Sequence, residues 1–448
     1  MGNPVTNLNT VNGLAVLQAQ FALSSIGGVI RVIDLDEVGR IADGADGVTL
    51  SLYKKEDASL LMSRILKELD ALTKPKDDIA NFFIDPDTCV YRSTCFSPGV
   101  AGEGELNLWS DPPIKPVAGD WSLLRAHLVD VICSSCPTKS DYLIKFLAHM
   151  LQKPAEKPGV MIVLKGGQGT GKGALLQIVQ RIWQGTSLFT SNIDHVVGRF
   201  TGALERSYVV LLDEALFKGD KRAVDRMKSL ITEPRCQIEE KNQPTRSLKS
   251  IHRFFATTNH DQFGHTDIDD RRHAFFDVSD SRRGDETYFD ELFAAINDDK
   301  VIAAMMYHLR SLDLTRFNVR TAPRTNDHGA QVLKSLNGLD RYWCHVLTSA
   351  ELPLLNGGFG ATKDWTSADI FVTTKGLHES YELYDRHGLR FERRTLQDVG
   401  AMIARLCPSA KYLRKTESGK QRRGYVLPDL DVARIEFEAA LGVEVSWI

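Results

Sequence analysis

The chain has 448 residues and a formal charge of −3, with 43% hydrophobic and 25% charged residues, which excludes a disordered, collagen-like or disulfide-dense protein. At that length two or three domains are expected. No apolar run approaches the roughly 20 residues a membrane helix needs, so a cytoplasmic protein with no membrane partner is expected, and any nucleic acid must be held by local basic clusters.

Residues 1–115 read as a small mixed accessory domain. It has a strand-like run at Val29–Leu35 and an amphipathic helix with Leu61, Ile65, Leu69 and Leu72 on one face. Asp34 and Asp36 form an isolated Asp-x-Asp, read as a solvated strand end or turn and not as a metal pair. The seven cysteines, an odd number, read as reduced thiols. Cys133 and Cys136 form a CxxC, and zinc would require two more ligands such as Cys89 and Cys95. Proline-marked boundaries at Asp111–Pro116 and Lys153–Gly159 enclose a segment, 116–158, in which Trp121–Gln152 has the apolar spacing of two short helices. From 159 to 322 short β-branched runs alternate with helical stretches, the pattern of an α/β domain with a parallel sheet. Beyond a polar linker near Arg320–Arg324, residues 323–448 form a last domain.

The strand Val160–Leu164 runs into "GGQGTGKG". Gly166, Gly167, Gln168, Gly169, Thr170, Gly171, Lys172 and Gly173 follow a strand and open a helix, the context in which a glycine-rich loop cradles phosphate. The glycines let backbone N–H groups turn inward, the helix start adds partial positive charge, and Lys172 reaches the β and γ phosphates. Gly173 stands where a Ser or Thr would normally hold magnesium. In "YVVLLDEALF" the buried strand Val209–Leu212 ends in two acids: Asp213 to hold Mg2+ through water, Glu214 to orient and deprotonate the attacking water. The cofactors expected are ATP and Mg2+. Without the hydroxyl, the metal relies on nucleotide oxygens, waters and Asp213, which magnesium tolerates because it keeps several waters. A third strand, Arg253–Thr258, ends in Asn259, whose amide can contact the γ phosphate or the water. Arg271 and Arg272 precede a further apolar strand and could stabilise charge on a neighbouring subunit's nucleotide.

Between the second and third strands, "CQIEEKNQPTRSLKSI" reads as a β-hairpin, with Lys241, Arg246 and Lys249 at its tip and flanks. Such hairpins pointing into a ring would make a positive track for a phosphate backbone; Glu239 and Glu240 offset much of that charge. In the last domain a helix with Leu396, Val399, Ile403 and Leu406 on one face precedes a second hairpin, turning near Glu417-Ser418-Gly419. It concentrates Lys411, Arg414, Lys415, Lys420, Arg422 and Arg423 beside Tyr412 and Tyr425. Helix then basic wing is the arrangement of winged-helix DNA binders.

Taken in order, "GGQGTGKG", "VVLLDEALF", the hairpin with Lys241, "FFATTNHDQF" and "DDRRHAFFDV" resemble the superfamily-3 helicases of phages and mobile elements, in particular the phage primase–helicase type, over about Trp109–Val278. The resemblance implies an AAA+ P-loop core, a ring that is usually a homo-hexamer, and ATP-driven translocation on single-stranded DNA, typically 3′ to 5′. By position it makes Lys172 the phosphate lysine, Asp213 and Glu214 the metal and base acids, Asn259 the sensor, Lys241 the DNA-tracking lysine and Arg271 or Arg272 the arginine finger. The N-terminal 115 residues are shorter than a primase–polymerase module and show no convincing set of metal-binding carboxylates, so priming is expected from a separate partner or a longer parent protein. The alternative is an ATP-switched DNA-binding initiator or regulator that does not unwind processively.

Overall fold

The computed structural model describes residues 12–447 apart from 26–28, 45–49, 70–73, 215–220, 240–244, 260–271, 324–332, 334–335, 337, 354–361, 366–369, 387–393, 418–419, 444 and 446. It divides into two compact units, one holding the described residues up to Asn259 and from Phe276 to Ala322, the other Arg272–Phe275 and the described residues from Pro323 onward.

The candidate site is carried by a five-stranded sheet. Its strands are β1 (Met161–Lys165), β2 (Ser187–Thr190), β3 (Val209–Leu212), β4 (Arg253–Thr258) and β5 (His273–Asp277), in the spatial order β5-β1-β4-β3-β2. β1, β4, β3 and β2 pair in parallel. Every residue of β3 and β4 is buried, as are the first four of β1, which explains why β3 and most of β1 read as unbroken apolar runs and not as alternating ones. The helix α1 (Lys172–Ile182) follows β1 and buries Leu175, Leu176, Ile178, Val179 and Ile182.

Arg253 opens β4 with no exposed surface. Its guanidinium donates to the carbonyls of Ile251 at 2.7 Å, Lys153 at 3.2 Å and Glu156, and lies 5.0 Å over the Tyr208 ring. A buried cation needs such partners, and these fasten the Lys153–Gly159 boundary to the sheet. Tyr208 also meets Trp183 and Trp109 at 4.4 and 5.0 Å between ring centroids, so the chain preceding the first proline boundary packs on the core. Where two short helices were expected, Ser122–Ala126 runs on into a π-helical turn, His127–Ile132, before the helix Pro137–Gln152.

Nearer the N-terminus a small four-stranded sheet pairs Phe21–Ser24 with Arg31–Asp34 and Val90–Tyr91. Asp34 accepts from the Asp36 amide at 2.9 Å and caps the helix Leu35–Ala42. All seven cysteines are free thiols, Cys133 being pushed up to about 12 by burial, and among the described residues no group of three or more His, Cys, Asp or Glu is placed to hold a metal. The expected face of the helix Lys55–Leu69 is corrected: Ala58, Met62 and Leu66 are fully buried, Ile65 is only partly so, and Leu61 and Leu69 are 39% and 44% exposed. Leu72 lies outside the described residues. The stripe is rotated because Met and Ala are the side chains that meet Phe21, Val32 and Phe82 in this small core.

The second unit sets a three-stranded antiparallel sheet, ordered Ile370–Thr373, Lys420–Leu427, Lys411–Glu417, against the helices Gly338–Ser349, Thr374–Arg386, Leu396–Leu406 and Leu430–Leu441. Trp343, Tyr342, Leu377, Ile403 and Phe437 form its core. Thr395 and Asp398 close a capping box on the Leu396–Leu406 helix, which buries Val399, Met402, Ile403 and Leu406 and leaves Leu396 exposed. No helix among the described residues is long and apolar enough to cross a membrane.

Met62→Ala should cost about 2–5 kcal/mol of unfolding free energy, while Leu61→Ala should cost less than about 1. Denaturant melts of the two variants test the helix face, and equal losses would restore the expectation from sequence.

Candidate functional site

The site forms at the carboxyl ends of β1, β3 and β4. The loop after β1 needs two left-handed glycines, Gly169 (φ 77°) and Gly171 (φ 94°), and Gly171 is the N-cap of α1. Thr170, buried, donates from Oγ1 to the Gly167 carbonyl at 2.9 Å and closes the turn. Lys172, 8% exposed, folds its Nζ back to donate to Gly166 O at 2.7 Å, Gly167 O at 2.6 Å and Asn259 Oδ1 at 2.8 Å. Burial pulls this ammonium below its ordinary value, and Asp213 and Glu214 act in the opposite direction.

Asn259 in turn donates from Nδ2 to Glu214 Oε1 at 2.7 Å. Thr257 donates to Asp213 Oδ1 at 2.5 Å and accepts from the Glu214 amide at 3.0 Å. Because β4 lies between β1 and β3, its last residues stand between the loop lysine and the acids, so three segments far apart in sequence share one hydrogen-bonded chain. Glu214 has φ 53°, a left-handed conformation costing a non-glycine residue roughly 1–3 kcal/mol. The Thr257 and Asn259 bonds hold it there. Gly173, Gln177 and Asp213 line a cavity of about 590 Å³ beside the loop, and a Cβ added at Gly173 would meet nothing within 4 Å. Left-handed glycines, a lysine held by replaceable partners and a carboxylate at the edge of an open cavity suit a nucleotide polyphosphate with its divalent cation.

Sequence reasoning missed two supporting residues here. Thr257 was hidden in an apolar strand, where alternation gives no hint that one hydroxyl bridges both acids. His127 is fully buried and held neutral, lowered to about 4 by desolvation. Its Nε2 lies 3.1 Å from Gly171 O and its Nδ1 2.9 Å from the Tyr288 hydroxyl. A lone helical histidine carries no such signal.

The expected DNA contacts are dispersed. The hairpin forms with Arg235–Ile238 paired to Arg246–Lys249, but its tip with Lys241 lies outside the described residues, as does Arg271. Arg246, expected to face DNA, is instead held by Glu205 at 2.7 and 3.2 Å, a half-buried pair 41 residues apart that only the fold could bring together. Lys249 is exposed opposite Arg235. Arg272 sits half-buried on the turn before β5. In the second unit Lys415 stands opposite Arg422, and Arg414 opposite Arg423. Like charges facing each other across a ladder disfavour it. Lys415 also lies 5.7 Å over the Phe371 ring. Lys420 pairs opposite Glu417 in the backbone ladder, and its side chain lies outside the described residues.

Residues 164–272 match the model of a family of unknown function, DUF5906. In sequence the chain is 25% identical over 163 residues to the DNA primase-polymerase of Nitratiruptor phage NrS-1, a match covering 34% of this chain and 22% of that protein. The chain thus spans about a fifth of the length of the curated relative it matches. In fold it is similar to the apo structure of the NrS-1 C-terminal region, with a TM-score of 0.64 at 16% identity over 94% of this chain and 100% of that one. A second apo form of that region gives 0.62 at 16% identity over 92% and 98%. The likeness to these structures is one of fold: a mixed α/β chain with a parallel-sheet core.

Gly171→Ala should lose more than about 1 kcal/mol of stability, since alanine is strained in the left-handed region and its Cβ would stand 2.6 Å from the His127 ring. Gly173→Ala, inside a helix and facing open space, should be neutral or gain up to about 1 kcal/mol. Urea melts would separate the two; equal effects would contradict the loop geometry.

Proposed function

We propose that the chain is an ATP-dependent helicase of superfamily-3 type that translocates on single-stranded DNA, 3′ to 5′, as a ring of six copies, and serves replication of a phage or mobile element in the cytoplasm of its host. The observation that carries this reading is the continuous bonding from Lys172 through Asn259 to Glu214, with Asp213 joined to the same chain by Thr257. A glycine-rich loop used only as a turn would have no need of a carboxylate held in a strained backbone and tied to the loop lysine. The similarity to a phage primase-polymerase supports the replication setting.

In this reading residues 159–322 are the AAA+ core, 116–158 a helical collar, 1–115 an accessory domain and 323–448 a winged-helix-like DNA-binding domain. ATP with Mg2+ supplies the phosphoryl transfer that drives movement. Gly166 to Gly173 enclose the phosphates through backbone N–H groups, and Lys172 exchanges its loop carbonyls for phosphate oxygen. Asp213 would hold magnesium through water, Glu214 would take the proton of the attacking water, and Asn259 would contact the γ phosphate or that water. Arg271 or Arg272 reaches the nucleotide of the adjacent copy. With Arg246 held by Glu205, the hairpin's DNA contact falls to Lys241 and Lys249. The C-terminal ladder with Lys415, Lys420, Arg422 and Arg423 is the second DNA contact, and priming is left to a separate primase or a further part of a longer protein.

A second reading, an ATP-switched initiator that binds DNA without processive unwinding, draws on the like-charged C-terminal ladder. ATP hydrolysis measured with and without single-stranded DNA separates the two. A helicase should be stimulated by DNA, lose hydrolysis in Lys172→Ala, keep nucleotide but lose turnover by roughly 100-fold or more in Glu214→Gln, and lose only the DNA stimulation in Lys241→Ala. Hydrolysis indifferent to DNA and to Lys241 would move the weight to the initiator. Gly173→Ser should lower the magnesium needed or leave it unchanged; complete loss of turnover would show that close approach at the glycine is required.

A further inference from the structure

The turn Ser279–Asp285, which joins β5 to the helix α2 (Glu286–Asn297), carries two adjacent arginines in different situations. Arg282 is engaged: its Nη1 donates to Asp285 Oδ2 at 3.0 Å and its guanidinium lies 4.6 Å over the Tyr288 ring. Arg283, exposed, makes no side-chain hydrogen bond or ion pair among the described residues. It lies against the phosphate loop instead: a Cβ built on Gly167 would stand 3.6 Å from Arg283 Nη1 and 3.9 Å from its Cζ. Gly167 is also where the Lys172 ammonium rests, at 2.6 Å from the carbonyl, so the guanidinium approaches the end of the loop that receives the phosphates furthest from the nucleoside.

The turn is fixed to the loop on both sides. Upstream, the Val278 amide donates to Lys165 O at 2.7 Å, at the root of the loop. Downstream, Asp285 caps α2, accepting from the Tyr288 amide at 3.2 Å, and the Tyr288 hydroxyl meets His127, which meets Gly171 O at the far end of the loop. The Arg283 backbone is therefore carried by the structure that shapes the loop. A guanidinium supplies planar, bidentate donors suited to phosphate oxygens, and at the exposed Arg283 no pairing among the described residues competes for them.

We infer that Arg283 contacts the terminal phosphate of the nucleotide bound by its own chain and lets the site distinguish a triphosphate from a diphosphate. The inference rests on the nucleotide reading above and adds a residue to it. It assigns to one chain a positive charge separate from the Arg271 or Arg272 contact expected from a neighbour.

The test uses the full chain and measures binding of a non-hydrolysable ATP analogue and of ADP, both with Mg2+, by fluorescence and by the shift in melting temperature. Arg283→Ala should weaken the ATP analogue roughly tenfold, the scale of one hydrogen bond to a charged group, and weaken ADP by less than roughly threefold, within the spread of a lost distant charge. Arg283→Lys should recover part of the loss, Arg282→Ala should leave the ratio of the two affinities unchanged, and the melting temperature of Arg283→Ala without nucleotide should equal that of the wild type. Equal losses for both nucleotides, or none, would overturn the assignment while leaving the nucleotide site standing, provided Lys172→Ala abolishes both. A wild type that binds neither nucleotide would overturn the site and this inference together.

Discussion

An ammonium that is only 8% exposed must be fully bonded, and the way Lys172 meets that requirement organises the carboxyl edge of the sheet. Two of its three bonds close the glycine loop on itself and the third goes to Asn259. That third bond requires a strand to end beside β1, which is what inserting β4 between β1 and β3 provides. Once β4 is there, Thr257 reaches Asp213 and Asn259 reaches Glu214 without further rearrangement. The strained backbone of Glu214 is then the local cost of turning a carboxylate back toward the loop.

Sequence carried the parts of this arrangement that depend on local chemistry. Fully buried strands, a strand-to-helix glycine loop and two acids after an apolar run each need particular residues at particular steps, and the loop, the acids and Asn259 are legible as candidates on that basis. What escaped depends on pairing across long separations. Arg246 read as a free cation because Glu205 lies 41 positions away. The rotated face of Lys55–Leu69 is set by Phe21, Val32 and Phe82, which helical periodicity cannot weigh. His127 and Arg283 gave no signal, since each lies against a loop far away in sequence, at Gly171 and Gly167 respectively.

The chain also holds buried cations away from the carboxyl edge of the sheet, and comparing them with Lys172 shows how differently a buried charge can be satisfied. Arg253 is completely buried and donates to the main-chain carbonyls of Ile251, Lys153 and Glu156. Lys157, 8% exposed like Lys172, donates to Leu230 O at 2.6 Å and to Ser250, with its ammonium lowered to about 8 chiefly by desolvation. The carbonyls they satisfy belong to the chain segments they tie down.

The difference between the two kinds lies in where each stands along the strands. Arg253 is the first residue of β4 and Lys157 precedes β1, so both occupy the amino edge of the parallel sheet, where connections only need to be fastened. Lys172, Asp213, Glu214 and Asn259 all follow strand ends at the carboxyl edge. There loops diverge, helix starts present N–H groups, and open α/β sheets receive ligands. The partners of Lys172 are of a kind a phosphate could replace, loop carbonyls and one amide, beside a cavity lined by Asp213. The same cost of burying a positive charge is thus met by permanent bonds at one edge and by exchangeable bonds at the other, and only the second arrangement can yield its cation to a ligand.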